Sequence, residues 1–309
     1  MFPLFRANSR TWTLILLLVL VTAKTVSLIA DEYVLTRSSD HPTTPIKMLE
    51  STELPTLMQV SDGLFVGGTP DGQKAFEQLV KLGVRTIVSV DHALPDVESA
   101  KLQGIRYIHL PVGYAGLSKD RIHAIASLLK HEDDGLYVHC HHGRHRAPAV
   151  AAAACIAAGI LNRDGGRRLL EVAGTSSHYS GLIEAVEASS CLDKDELCVD
   201  RFEYPTRAEV PATAARMVQL SYLVEKVSQS DLGESDKTRY AVLIEEQFKE
   251  LLRLDAVQSE GADYRFRMMD SLRHATLLRK SVPEENQRLA KLHQLRESCN
   301  DCHHRYRDR

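Results

Sequence analysis

Two short stretches hold residues whose types and spacing could do chemistry. Near the C-terminus, Cys299-Asn300-Asp301-Cys302-His303 sets two thiols three positions apart, with an imidazole directly after the second. On a helix this spacing puts both thiols on one face, one turn apart, where each can reach a vinyl group of one haem while the imidazole turns to the iron. The expectation is one covalently attached haem c, carried by Cys299 and Cys302 and ligated through its iron by His303. A thioredoxin-type redox pair would sit at the start of a βαβ unit and needs no following histidine. A zinc knuckle would need two further ligands, for which His304 and His293 are the candidates.

The second stretch is Cys140-His141-His142-Gly143-Arg144-His145-Arg146, followed by Ala147-Pro148. It lies between a strand-like run, Leu136 to His139, and an alanine-rich helical run. A Cys-x5-Arg loop in that setting turns its backbone N–H groups and the helix N-terminus inward, onto an anion of phosphate size. Residues His141, His142, Gly143, Arg144, His145 and Arg146 are therefore expected to cradle phosphate, with Arg146 holding two oxygens in its fork. The same positive field favours a Cys140 thiolate, the nucleophile. Gly143 suits a positive φ, and Pro148 suits the first turn of the helix. Four histidines, His139, His141, His142 and His145, crowd the loop and raise the alternative of a metal site. Side chains of a tight anion loop diverge, however, and its backbone is already committed to an anion.

The surrounding pattern supplies the elements that must position these groups. From about Leu57 to Ser190, strand-like and helix-like runs alternate, which predicts an α/β domain with a central, mostly parallel sheet flanked by helices. Gly63–Gly68, Thr86–Val90, Ile105–Leu110 and Gly135–His139 read as strands; Asp71–Leu82, Lys119–Lys130 and Ala147–Ile160 read as helices. Cys155, on the last of these, reads as a core residue. From about Glu203 the strand signals end and four amphipathic segments follow, broken near Gly233, Gly261 and Pro283, the pattern of an all-α four-helix bundle. Met217, Leu220, Val224 and Val227 mark the inner face of its first helix.

Residues 1–30 carry Arg6 and Arg10 before the apolar run Leu14–Val21, with Ala23 and Ala30 as small residues for cleavage. This reads as a signal peptide, with an uncleaved membrane anchor as the alternative. The expected organisation is a signal or anchor (1–30), a polar linker (31–56), the α/β domain (57–190), a second linker (191–205) and the haem bundle (206–309). Export to the periplasm, or to the outer face of the cytoplasmic membrane, follows from the signal. Of the six cysteines, Cys191 and Cys198 flank a polar loop and form the one disulfide candidate. A formal net charge of −3 over 309 residues argues against nucleic acid as a partner.

On these residues, two resemblances can be stated. The region from Gln59 to Ser190 resembles the dual-specificity protein phosphatases, whose His-Cys-x-x-Gly-x-x-Arg signature stands here as His139 to Arg146. The resemblance implies attack of Cys140 on a phosphate monoester, a phosphocysteine intermediate and hydrolysis by water. Two departures accompany it. Ala147 stands where the family has Ser or Thr, whose hydroxyl helps the thiolate leave. The loop Pro111–Gly116 lacks the family's acidic residue, leaving Asp120 as the candidate general acid and Asp91 as the second choice. The C-terminal 100 residues are similar to cytochrome c-prime and related bundle cytochromes, through Cys299-x-x-Cys302-His303-x-x-x-Arg307. That resemblance implies Arg307 on the proximal side of the haem and Met217 or Leu220 on the distal side. A Met ligand gives electron-transferring iron, and Leu leaves the iron open to gases. It also suggests pairing of two chains through the bundle.

The function expected is an exported cysteine phosphatase fused to a c-type cytochrome that senses redox state or gas, or transfers electrons. Its partners would be a phosphorylated substrate and a redox protein. The alternatives are a cytochrome with a non-catalytic, anion-binding phosphatase-like domain, and a sulfurtransferase.

Overall fold

The computed structural model describes residues 46–307 except 133 and 283; the expected signal peptide and most of the first linker lie outside the described residues. Six strands form one sheet: β1 (Lys47–Met48), β2 (Met58–Ser61), β3 (Leu64–Gly67), β4 (Val84–Ser89), β5 (Arg106–His109) and β6 (Gly135–His139), in the order β1-β2-β3-β6-β4-β5. The pairings β1–β2 and β2–β3 are antiparallel, and the other three are parallel. Strand β6 is central and every residue in it is buried, as expected of a parallel strand covered on both faces.

Helices α1 (Gly72–Lys81) and α2 (Val97–Leu102) enclose a smaller core with Phe65, Ile87 and Tyr137. The larger core, containing Val66, Val88 and Val138, lies with helices α3 (Lys119–His131), α4 (Arg146–Ala157), α5 (Arg163–Ala173) and α6 (Ser180–Ala188). All twelve residues of α4 are buried. Its run of alanines lets the backbone approach β6, α3, α5 and α6 closely, which fixes the helix start beneath the loop after β6.

The sequence boundaries need two corrections. Residues 46–56, read as linker, belong to the sheet domain: β1 pairs with β2, and Leu54 is only 1% exposed. A two-residue strand with both side chains outward has no apolar periodicity to reveal it. The second linker is a strap, with Leu197 buried and Phe202 and Tyr204 packed on the larger core. Its Pro205 carbonyl accepts the His109 N–H at 2.8 Å, covering the open edge of β5.

The C-terminal region is helical: α7 (Ala212–Ser228), α8 (Glu234–Arg253), the one-turn α9 (Asp255–Gln258), α10 (Ala262–Ser281) and α11 (Glu285–Tyr306). The four long helices form a bundle around Leu220, Phe248, Met268, Leu292 and Leu295. Neighbours in sequence pack closely, whereas α7 and α11 meet at few positions. Among the described residues, no helix is long and apolar enough to cross a membrane.

Candidate active site

Cys140 directly follows β6 and is 4% exposed. Its loop is fastened to the turn after β3 by the Thr69 N–H on the His141 carbonyl (3.0 Å) and the Thr69 hydroxyl on the Cys140 carbonyl (3.2 Å). The Tyr137 hydroxyl donates to the Gly68 carbonyl at 2.6 Å, holding that turn in place. These contacts engage the carbonyls of Cys140 and His141 and tie the loop to the turn after β3. Gly143 has φ +72°, and a Cβ there would lie 2.3 Å from the Gly67 carbonyl carbon. Only glycine meets both conditions.

Arg146 opens α4 and is 6% exposed. Its Nη2 donates to Asp91 Oδ2 at 2.9 Å, and its Nη1 lies 3.2 Å from His92 Nδ1. Nε is buried with no hydrogen-bond partner in the structure, and the helix N-terminus lacks a side-chain cap. A buried guanidinium donor without a partner and uncapped helix N–H groups, beside a cysteine, are donors of the kind that an oxyanion would satisfy.

Asp91 is at the carboxyl end of β4, where the sequence reading put it, but it is turned to Arg146. Burial raises its pKa, yet the Arg146 charge and the Ala93 N–H outweigh that and hold the carboxyl below its ordinary range. Asp120 is exposed in the first turn of α3, after the Ser118 cap. His139, behind Cys140, is neutral: burial pushes it down to about 4. The Tyr107 hydroxyl, 2.6 Å from Nε2, is its donor, which leaves Nδ1–H toward the Cys140 carbonyl at 3.4 Å.

The other loop histidines face different ways. His142 is exposed, and His141 meets its ring at 4.2 Å in a tilted arrangement and faces Glu225 of α7 at 3.9 Å. The His145 Nδ1 accepts the Ser176 N–H at 3.4 Å, and its ring meets Tyr179 at 4.6 Å. Burial, then the Arg144 charge, push His145 down to about 4. Arg144 is exposed beside the loop. Among the described residues, no group of three or more His, Cys, Asp or Glu is placed to hold a metal ion.

Sequence reasoning missed Tyr114, His92, Tyr107 and Tyr137. His92 and Tyr114 follow the carboxyl ends of β4 and β5, the side of an open parallel sheet on which sites form, and that position was their one signal.

In the bundle, Cys299 packs against the core and Cys302 is buried, both on α11. Burial raises both thiol pKa values, Cys299 to about 11. Asp263 of α10 pins this end of α11 through Arg305 Nε (3.0 Å) and the Tyr306 hydroxyl (2.6 Å). Two inward thiols one turn apart, followed by His303, fit thioether attachment of haem. Met217 lies half-buried against the same core as Leu220. Arg307 reaches the α/β domain: its Nη2 is 3.3 Å from the Tyr179 hydroxyl, and its guanidinium carbon is 4.8 Å from the Tyr114 ring centre. Cys191 and Cys198 are free thiols in the structure.

No family model and no curated protein matches the chain. Among solved structures it is similar to TpbA from P. aeruginosa, at 17% identity over 52% of this chain and 98% of that one, with a TM-score of 0.42. It is also similar to Tk-PTP in its active form, at 14% identity over 45% of this chain and 96% of that one, with a TM-score of 0.37. PTPMT1 is a third, at 19% identity over 42% and 90%, with a TM-score of 0.34. Each match spans about half of this chain or less and at least nine-tenths of the other.

Proposed function

We propose that the α/β domain hydrolyses phosphate monoesters through Cys140 and that the bundle carries one covalent haem c. The observation that carries the first half is the buried, unpartnered Nε of Arg146 beside Cys140 at an uncapped helix N-terminus. In this reading the loop N–H groups and Arg146 bind the phosphoryl oxygens, and Asp91 holds the guanidinium in register. The Cys140 sulfur attacks phosphorus; the S–P bond forms as the ester P–O bond breaks. Water then attacks phosphorus, the S–P bond breaks, and inorganic phosphate leaves with the thiolate restored. Ala147 offers no hydroxyl to that departing thiolate, so breakdown of the phosphocysteine is the slow step.

For the second half, Cys299 and Cys302 would hold the haem and His303 would ligate its iron, with Met217 or Leu220 on the opposite side. The haem would supply redox change or small-gas binding. Export through residues 1–30, to the periplasm or the outer face of the cytoplasmic membrane, would bring the chain to where haem is attached in bacteria. A phosphorylated substrate, a redox partner and pairing through the bundle complete the reading.

The test is hydrolysis of p-nitrophenyl phosphate by the haem-loaded chain beside Cys140→Ser, with the haem spectrum of Cys299→Ser recorded in parallel. Activity lost with Cys140, and one thioether lost with Cys299, are the expected results. Phosphate binding without turnover would instead favour the anion-binding cytochrome, and thiosulfate consumption a sulfurtransferase.

A further inference from the structure

The loop between β5 and α3 is where the phosphatase resemblance places a proton donor, yet residues 111–117 contain no carboxylate. Their one ionisable side chain is Tyr114, and it turns toward the phosphate loop. Its ring centre lies 4.8 Å from the Arg146 guanidinium carbon. Tyr179 meets it at 4.6 Å, and Arg307 of the bundle lies 4.8 Å from its centre. Arg146, Tyr179 and Arg307 thus hold this phenol at the mouth of the site.

The two carboxyls near the site are poorly suited to the same task. Asp91 is ionised by its pairing with Arg146 and has no proton to give. Asp120 is exposed on α3 and caps no part of the loop.

We propose that Tyr114 is the general acid of this site, a phenol acting where related enzymes use a carboxyl; the proposal rests on the phosphatase reading of Cys140. As the S–P bond forms and the P–O bond breaks, the leaving-group oxygen takes the Tyr114 proton. The phenolate formed lies beside the guanidinium groups of Arg146 and Arg307, which stabilise it. In the second step the attacking water gives its proton to that phenolate, which restores the phenol as the S–P bond breaks. Burial raises the Tyr114 pKa above 10 against the opposing charges of Arg146 and Arg307, so the proton is present at neutral pH. An alkoxide is more basic than a phenolate and takes this proton readily, whereas a nitrophenolate leaves without needing it.

The substrate class follows: monoesters of poor leaving groups, such as aliphatic alcohols, are those for which this residue matters. The experiment compares kcat/KM of the haem-loaded parent and Tyr114→Phe on aryl phosphates of rising leaving-group basicity and on an alkyl phosphate. Phenylalanine keeps the ring between Arg146 and Arg307 and removes only the proton. The expected loss grows along the series, reaching about 10²–10⁴-fold for the alkyl ester, so that log kcat/KM falls more steeply with leaving-group pKa. An equal loss for every ester would mark Tyr114 as a packing residue and overturn the proposal. So would a steepened dependence in Asp120→Asn with none in Tyr114→Phe. If no ester shows Cys140-dependent hydrolysis, the phosphatase reading itself fails; Cys140-dependent hydrolysis with an unaltered slope in Tyr114→Phe removes only the role given to Tyr114.

Discussion

Replacing Asp91 by Asn tests whether this carboxylate exists to hold Arg146. Both of its oxygens are engaged: Oδ2 accepts from Arg146 Nη2 at 2.9 Å, and Oδ1 accepts from the Ala93 N–H at 3.1 Å. An asparagine has one acceptor oxygen, so its amide N–H groups must face one of these two donors. Asp91 and Arg146 are 2% and 6% exposed, so water cannot take over the lost partner. Removing one member of a buried pair costs about 3–5 kcal/mol, most of it the uncompensated charge left behind. Urea unfolding followed by circular dichroism should therefore show Asp91→Asn less stable by about 3 kcal/mol or more. Inorganic phosphate should stabilise the variant more than the parent, because a bound anion supplies a counter-charge in place of the lost carboxylate. The rate should fall by a similar factor for aryl and alkyl phosphates, since no proton is lost with Asp91. A loss of stability under about 1 kcal/mol would refute the pairing argument, and a rate loss confined to alkyl esters would make Asp91 the acid.

Three further outcomes follow from the same geometry. Gly143→Ala places a Cβ 2.3 Å from the Gly67 carbonyl carbon at φ +72°; the backbone penalty alone is about 1–2 kcal/mol, and phosphate binding measured by calorimetry should be lost. Ala147→Ser restores a hydroxyl beside Cys140, and one hydrogen bond of about 1 kcal/mol would speed breakdown of the phosphocysteine roughly fivefold. The pre-steady-state burst of nitrophenolate should shrink accordingly; an unchanged burst would place the slow step elsewhere. His139 has its pKa lowered from 6.5 to about 4 by burial, so the unfolded chain binds a proton there first as pH falls. Its contribution to stability is complete above about pH 6.5 and is lost between there and about pH 4, amounting to about 3 kcal/mol. Unfolding midpoints of the parent and His139→Asn across that range should converge at the acid end.

The strand, loop and helix around Cys140 were legible because their signals are local. Cys140, Gly143 and Arg146 lie within one loop, and the strand before it is a short apolar run ended by polar residues. The bundle was legible for a similar reason: its apolar positions recur at helical spacing over long segments. What the sequence hid are relations between distant positions. The Asp91–Arg146 pair joins residues 55 apart, and no spacing rule selects Asp91 over Asp120 as the residue facing the loop. Helices α2, α5 and α6 were not anticipated, since six residues in the first, and paired glycines at Gly165 and Gly166 in the second, blur helical periodicity. Residues 46–56 were read as linker because the polar stretch before them continues into a strand whose two side chains point outward.

The contacts between the bundle and the α/β domain fall around the loop that follows β6. Glu225 of α7 faces His141, His304 of α11 meets His178 edge-on at 5.3 Å, and Arg307 stacks on Tyr114 and Tyr179. Two helices of the bundle that touch each other sparingly thus both reach the α/β domain beside the site. Arg307 lies four residues beyond His303, one helical turn from the residue expected to ligate iron. A shift of that turn needs to travel through no intermediate element to reach Tyr114, because the arginine at its end is already against the ring. If His303 ligates haem as proposed, Arg307 would join that helical turn to the side chain on which proton donation is proposed to depend.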